Sequence, residues 1–417
     1  MTPEKSDVWG ARSNADLSAD SGDLGKTGLF GRVVLNALTK LEYGCLNVKL
    51  PDGSRRTFGR ADGAGPNATI AFERLRAFRR FAIGGELGLA AAYIDGDWSS
   101  PDLTAVFDLA IANENSPMIW SAGTAFNRAV NRIRHLSRVN TRRGSRRNIS
   151  YHYDLGNAFY SRWLDPTMTY SSAYFADPEM TLGQAQTAKY DRIIELGEIA
   201  PGHEVLEIGS GWGGFACHAA GRGAKVHGIT VSREQLAHCR ERGGRSNAAV
   251  APRFSFLDYR DTRGAYDRIV SIEMLEAVGE RHWPDYFAVL RDRLKPGGIA
   301  VVQVITIEDS RFDAYRKGTD FIQRYIFPGG LLPSPSVMRC LTDAAGLVQD
   351  ETEFFRLSYA RTLAEWNRRF QKAWPDLAGL GFDLPFKRMW EYYLSYCEAG
   401  FKAGNIDVGL FKIRRPA

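Results

Sequence analysis

The chain of 417 residues contains only five cysteines, and no two of them form a C-x-x-C pair. Cysteines this sparse exclude a disulfide scaffold, argue against a metal site of the zinc-finger kind and suit a reducing compartment. The sequence has no apolar run of about 18 residues, the length that predicts a transmembrane helix. Its N-terminus also lacks the apolar core of a signal peptide. These absences predict a cytoplasmic protein without a membrane span.

Acidic residues and lysine are missing from residues 131–150, which contain seven arginines. The net charge of the whole chain is +6 and this segment carries +7, so the remaining residues sum to −1. Such a segment favours an anionic surface, either phospholipid or nucleic acid, although a solvated interdomain linker fits the same composition.

The first part of the chain predicts a small domain. Residues 1–28 are rich in Gly, Ser and Asp, and we expect them to be disordered. Residues 29–41 have apolar positions at helical spacing, and residues 46–58 alternate around a Pro-Asp-Gly turn, which is a hairpin signature. The sequence therefore predicts a small α+β domain over 29–113 and a basic helical connector over 114–150.

The rest of the chain, residues 151–417, alternates short apolar strands with helical patterns. The predicted strands are His203 to Ile208, Ala224 to Thr230, Arg268 to Ile272 and Ile299 to Ile305, with Val408 to Ile413 as a closing strand. This alternation is typical of an α/β domain with a parallel sheet covered by helices on both faces. The segment from about 306 to 382 breaks the alternation and predicts an insertion or lid.

A glycine-rich turn follows the first of these strands. It reads Glu207-Ile208-Gly209-Ser210-Gly211-Trp212-Gly213-Gly214 and precedes a helical pattern. Glycines let the backbone approach a ligand closely, and a helix N-terminus offers unpaired N–H groups. The spacing G-x-G-x-G and the lack of an acid at Thr230-Val231-Ser232 disfavour a dinucleotide. The pattern resembles class I S-adenosylmethionine-dependent methyltransferases.

Flanking motifs narrow this resemblance. They are Tyr153-Asp154-Leu155-Gly156-Asn157, Met168-Thr169-Tyr170-Ser171-Ser172, Gly228-Ile229-Thr230-Val231-Ser232, Phe327-Pro328-Gly329-Gly330 and Tyr392-Tyr393-Leu394-Ser395-Tyr396-Cys397. Together they resemble the cyclopropane-fatty-acyl-phospholipid synthase family over about residues 30–415. The resemblance implies a Rossmann-like class I methyltransferase sheet over 151–417 and a lipid-binding-type N-terminal domain.

The resemblance also implies S-adenosylmethionine as methyl donor and indicates which residues contact it. These candidates are Tyr170, Ser171, Glu207, Gly209, Ser210, Gly211, Gly213, Thr230, Gln235, Asp258 and Tyr259. Within the set, residues 207–214 are expected to cradle the methionine end. An aromatic face near the cationic sulfonium would stabilise it, although core packing explains the tyrosines as well.

The expected chemistry needs a base. A cis double bond is a weak nucleophile, and its attack on the sulfonium methyl leaves a carbocation that must lose a proton in a water-poor pocket. Glu276 is the leading candidate, because it follows the strand that ends at Ile272. The resemblance implies that Glu276, Tyr359 and the backbone of Ile305 hold a bicarbonate ion as the base. Glu273 is the rival acid, and either could instead be a surface carboxylate at a helix start.

Two positions depart from the pattern of the best-known bacterial synthases. Gln303 stands where they usually have a histidine that contacts bicarbonate, and Ser172 replaces a cysteine. Glutamine forms hydrogen bonds but cannot gain a proton, so bicarbonate binding is in question. A methyl- or methylene-branched acyl chain would then replace the ring. Cys397, sometimes labelled catalytic in the family, is expected to line the acyl pocket, and His152 to act as a positioning group.

The resemblance thus implies cyclopropane formation on unsaturated acyl chains of membrane phospholipids. It also implies a homodimer, held on the anionic inner face of the cell membrane by the first domain and the arginine segment. A small-molecule amine N-methyltransferase is an alternative. A nucleic-acid partner is not expected, since Glu273-Met274-Leu275-Glu276 replaces the Asn/Asp-Pro-Pro-aromatic motif of many base methyltransferases. The glycine motif disfavours a non-catalytic lipid-binding module.

Overall fold

The computed structural model describes residues 27–60, 65–114, 155–245 and 248–417. Most of the predicted disordered N-terminus, nearly all of the predicted basic connector, and His152 lie outside the described residues. No helix within these ranges is both long and apolar enough to cross a bilayer.

The N-terminal part builds a four-stranded sheet. Its helices are α1 (Gly28–Leu38), α2 (Arg76–Ile94) and α3 (Leu103–Ala112), and its strands are β1 (Cys45–Lys49), β2 (Arg55–Gly59), β3 (Asn67–Phe72) and β4 (Trp98–Ser99). The strand order is β2-β1-β3-β4. Strands β1 and β2 pair antiparallel, which confirms the predicted hairpin.

The second sheet has seven strands in the order β10-β11-β9-β8-β5-β6-β7. They are β5 (Glu204–Ile208), β6 (Lys225–Thr230), β7 (Arg253–Phe256), β8 (Tyr266–Ile272), β9 (Leu294–Ile307), β10 (Val348–Phe354) and β11 (Ile406–Arg414). Strands β5 to β9 run parallel, and β11 is antiparallel to β9. The predicted α/β fold class is confirmed.

Helices cover both faces of this sheet. In chain order they are α4 (Asn157–Tyr160), α5 (Leu182–Leu196), α6 (Gly214–Gly221), α7 (Arg233–Gly244), α8 (Leu275–Val278), α9 (Trp283–Arg293), α10 (Asp309–Tyr315), α11 (Pro335–Ala344), α12 (Arg356–Gly379) and α13 (Leu384–Ala403). Neighbouring strand residues belong to different apolar clusters: Val205 packs in one and Leu206 in the other. Because side chains alternate along a strand, two clusters mean two buried faces.

The segment of about 306–382, predicted as an insertion or lid, contributes to the sheet. It contains a π-helical turn at Ile322–Ile326 and also strand β10, which pairs antiparallel with β11 at the sheet edge. An insertion over the whole range is therefore wrong. Strand β10 reads VQDETEF and is largely exposed, so it lacks the apolar pattern of a buried strand.

The N-terminal part packs on α13. Thr104 on α3 donates a hydrogen bond to the buried Glu398 at 3.2 Å, and the rings of Phe107 and Tyr392 meet edge to face at 4.8 Å. Helix α2 contains Gly85 at φ +56°, a kink inside the helix. The residues around this kink line the larger of two cavities, so the N-terminal part helps to build it.

Candidate active site

Two cavities meet at the carboxyl end of the sheet. The smaller, of about 110 Å³, lies where β5, β6 and β8 end. The larger, of about 1080 Å³, extends between α2, α3, the 306–332 segment and α13. Glu273 and Ala277 line both. A reacting group from each cavity can therefore meet beside Glu273.

The glycine loop forms one wall of the smaller cavity. Gly209, Gly211 and Gly213 have φ of +82°, +51° and +79°, which side-chain-bearing residues seldom adopt. An added Cβ at Gly211 would enter open space, with no atom of the described residues within 4 Å. Helix α6 begins directly afterwards at Gly214. The loop thus leaves room for a ligand next to the N-terminus of α6, as the S-adenosylmethionine prediction requires.

Further predicted cofactor residues line the same cavity. Thr230 donates a hydrogen bond to Gln235 at 2.8 Å, and both are buried. Asp258 forms an ion pair with Arg260 at 2.7 Å. The buried hydroxyl of Tyr259 has no hydrogen-bond partner among the described residues. These polar groups surround the cavity beside the glycine loop, on the side where the adenosine end of the methyl donor is expected.

The remaining predicted cofactor residues do not line the smaller cavity. Tyr170 lines the larger cavity, and its hydroxyl lies 2.9 Å from that of Tyr393. Four do not line either cavity: Ser171, Glu207, Ser210 and Gly213. Burial raises the pKa of Glu207 to about 8, and its Oε2 has no partner among the described residues.

Glu273 is the centre of a hydrogen-bond cluster. Its Oε1 accepts from the backbone N–H of Ser172 at 2.8 Å and from Nε2 of Gln303 at 2.7 Å. Its Oε2 accepts from the hydroxyl of Tyr359 at 2.6 Å. Ser172, Gln303 and Tyr359, all predicted near the base, therefore donate to the carboxylate of Glu273. The sequence indicated Glu273 only as the rival of Glu276.

Glu276 lies beside this cluster on α8. Its Oε1 accepts from the backbone N–H of Ile305 at 2.5 Å, and its buried Oε2 has no partner among the described residues. Burial and the nearby charge of Glu273 raise the pKa of Glu276 to about 8. Both carboxyl groups line the larger cavity and accept hydrogen bonds from neighbouring elements, which argues against the alternative of surface carboxylates at a helix start.

Lys189 is a site residue that the sequence analysis missed. It lies on α5 with a fully buried side chain, and its Nζ donates to Ser171 at 2.6 Å. Burial lowers the pKa of Lys189 to about 7, although the negative charges of Glu273, Asp165 and Glu207 act to raise it. The available signal was its position between Ala185 and Ile193 on the apolar face of the helix.

The larger cavity has mainly apolar and aromatic walls. Leu87 and Phe107 come from the N-terminal part, and Phe327 and Tyr393 from the part that contains the seven-stranded sheet. Cys397 also lines it, and burial raises the pKa of its thiol. A neutral thiol does not act as a nucleophile, which agrees with the expected lining role.

The sheet order, the glycine loop and the adjoining cavity define a class I S-adenosylmethionine-dependent methyltransferase. A model of the family described as mycolic acid cyclopropane synthetase matches residues 140–411, and the chain belongs to this family.

Characterised relatives span most of the chain. Tuberculostearic acid methyltransferase UfaA1 of Mycobacterium tuberculosis is 38% identical over 390 residues, which cover 90% of this chain and 89% of that protein. Cyclopropane-fatty-acyl-phospholipid synthase of Escherichia coli is 35% identical and covers 83% and 87%. The solved mycolic acid cyclopropane synthase CmaA1, complexed with SAH and CTAB, is 30% identical with a TM-score of 0.61, over 65% of this chain and 98% of that one. Methyl transfer to lipid chains is the activity that these relatives share.

Proposed function

We propose that the enzyme transfers the methyl group of S-adenosylmethionine to the cis double bond of an unsaturated acyl chain in membrane phospholipids and closes a cyclopropane ring. The observation that carries this proposal is the junction of the two cavities at Glu273. The smaller cavity has the glycine loop that suits the methyl donor. The larger has the apolar walls and the volume that a long acyl chain needs.

The size of the larger cavity favours a lipid over a small amine. Its volume of about 1080 Å³ lies slightly above the range for small-molecule pockets, about 300–1,000 Å³. Aromatic rings near the junction include Tyr170, Tyr359 and Tyr393. Their faces can shelter the carbocation that forms when the double bond attacks the methyl group. A water-poor aromatic wall is thus matched to the charge that develops in this reaction.

Docking on an anionic phospholipid surface is part of the same proposal. Leu29, Val33 and Ile83 are exposed on α1 and α2. These two helices pack against each other, and α2 also lines the larger cavity. The arginine-rich segment, residues 131–150, carries the complementary charge, and basic residues near an anionic bilayer contribute about 1 kcal/mol each. A homodimer at the inner face of the membrane stays a prediction.

A branched acyl product is the second candidate. It is favoured by Ser172 and Gln303, which depart from the synthase pattern, and by the 38% identity to a tuberculostearic acid methyltransferase. Loss of a proton from the transferred methyl after a hydride shift would leave a methylene branch with the same mass as the ring.

The test is expression in a bacterium that lacks its own synthase, with fatty acids analysed by mass spectrometry and proton NMR. A gain of one carbon with upfield ring protons establishes the cyclopropane product. A gain of one carbon with vinylidene protons establishes the second candidate. Unmodified monoenes in cells that contain the folded enzyme would contradict methyl transfer to acyl chains, and amine acceptors would be tested next.

A further inference from the structure

Glu273 follows β8 in a backbone conformation that side chains seldom adopt. Its φ is +50°, and Met168 and Glu198 are the only other non-glycine residues with positive φ in the described part of the chain. Such residues cost free energy, persist only where their surroundings hold them, and cluster at active sites. The backbone conformation of Glu273 therefore indicates a functional role for its side chain.

Groups from three separate elements hold the Glu273 carboxylate. The backbone N–H of Ser172 comes from the loop before α5, the amide of Gln303 from β9 and the hydroxyl of Tyr359 from α12. The backbone N–H of Glu273 also donates to the carbonyl of Gln303 at 2.9 Å. Both carboxylate oxygens are thereby fixed at the junction of the two cavities.

The groups expected to hold bicarbonate, those of Tyr359, Gln303 and Ile305, are engaged in these hydrogen bonds. Tyr359, Gln303 and Ser172 already donate to Glu273, and the N–H of Ile305 donates to Glu276. A bicarbonate ion would have to displace a carboxylate that makes three hydrogen bonds. The residues present therefore do not fit a bound bicarbonate.

We infer that the Glu273 carboxylate is the base of this enzyme and takes the place of an external bicarbonate ion. This inference rests on the proposed function, because it assigns the proton acceptor of that reaction. Glu273 is a catalytic residue in this assignment, since it faces the space where the methyl donor and the acyl chain meet.

The step balances without any other reactant. The π electron pair of the double bond forms a bond to the methyl carbon, and the carbon–sulfur bond breaks with its pair remaining on sulfur. The second alkene carbon becomes a cation. A Glu273 oxygen then takes a proton from the new methyl group, and the released C–H pair closes the three-membered ring. The protonated Glu273 afterwards loses this proton to solvent.

The charge distribution supports this division of roles. Burial raises the pKa of Glu273, and the hydrogen bonds from Tyr359, Ser172 and Gln303 together with the charge of Lys189 oppose that rise. Glu276 has a pKa of about 8, partly because Glu273 is charged, so Glu276 holds its proton at neutral pH. Two neighbouring carboxyl groups in different environments are typical of an acid–base pair. The carboxylate also stabilises the cation as it develops.

The test measures formation of S-adenosylhomocysteine by the full-length enzyme on vesicles of monoenoic phospholipid, in buffer stripped of carbon dioxide and then with added bicarbonate. Glu273→Gln keeps the shape of the side chain and removes the base. Glu273→Gly removes the carboxylate at a position whose φ suits glycine, and formate is added as a small replacement carboxylate. Glu353→Gln is the matched control, since Glu353 also accepts from a tyrosine hydroxyl, that of Tyr174, and does not line either cavity.

We expect the turnover of the wild type to be independent of bicarbonate. The turnover of Glu273→Gln should fall at least a hundredfold while S-adenosylhomocysteine binding is retained. Formate should restore the turnover of Glu273→Gly. Glu353→Gln should match the wild type. The inference is overturned if wild-type turnover falls when bicarbonate is removed. It is also overturned if Glu273→Gln keeps more than a tenth of the wild-type turnover, or if formate does not restore the turnover of Glu273→Gly. Failure of the proposed function looks different, since the wild type would then not methylate the vesicle lipids under any of these conditions.

Discussion

Removal of a single hydroxyl should move the pH dependence of this enzyme. Tyr359 donates to Oε2 of Glu273 at 2.6 Å from a buried position, and its ring stacks on Phe401 with centroids 4.3 Å apart. Tyr359→Phe keeps this packing and deletes only the hydrogen bond. A hydrogen bond to a charged group contributes about 1.5–3 kcal/mol, and about 1.4 kcal/mol corresponds to one pKa unit. The pKa of Glu273 should therefore rise by about one to two units.

The sign of the effect follows from which form of Glu273 reacts. Only the ionised carboxylate takes a proton, so kcat/KM falls as the pH drops through the pKa of Glu273. In Tyr359→Phe this acid limb should move to higher pH by about one to two units, because the lost hydrogen bond favoured the ionised form. Tyr174→Phe is the control, since it deletes a hydrogen bond of 2.6 Å to Glu353, away from both cavities. An acid limb at the same pH in Tyr359→Phe and wild type would refute the reasoning.

Three further changes test other parts of the structure. Lys189 has a folded-state pKa of about 7, below its ordinary value of 10.5, so the unfolded chain binds more protons between these values and stability rises with pH there. Lys189→Met should flatten that rise in urea unfolding at pH 7 to 10, and an unchanged slope would contradict the assignment. Gly211→Ala should weaken S-adenosylhomocysteine binding at least tenfold in calorimetry, because the Cβ enters the cavity. The control Gly202→Ala, which also has positive φ and open space, should not weaken it. Replacing both Leu29 and Val33 with serine should lower co-sedimentation with anionic vesicles, whereas Leu357→Ser, at a comparably exposed leucine, should not.

The sheet could be predicted from the sequence because its central strands are buried on both faces. Strands β5, β6 and β8 each contain a short buried stretch, and the predicted bounds agree with the structure to within two residues. Strand β10 was missed because an edge strand faces solvent and carries charged side chains. An apolar sequence pattern predicts which strands are buried. It therefore locates the central strands of a sheet better than the edge strands.

The glycine loop was equally accessible to prediction, because the conformation of such a loop restricts the residue type. Lys189 was not, although a lysine among apolar positions of a helix is a visible signal. What makes it part of the site is the proximity of Glu207, Asp165 and Glu273, which come from three distant parts of the chain. Proximity of this kind arises only when the sheet brings its carboxyl ends together.

Glu273 and Glu276 show the limit of the sequence argument most directly. Both are glutamates, they lie three residues apart after the same strand, and either could have been the base by position alone. The two residues differ in backbone conformation. Glu273 has a positive φ, and its side chain lies among three hydrogen-bond donors from distant elements. Glu276 continues into α8 with helical geometry, and its Oε1 accepts from the N–H of Ile305. Since hydrogen bonds to a carboxylate favour its ionised form, the conformation after β8 favours ionisation of Glu273 over that of Glu276, whose second oxygen has no partner among the described residues.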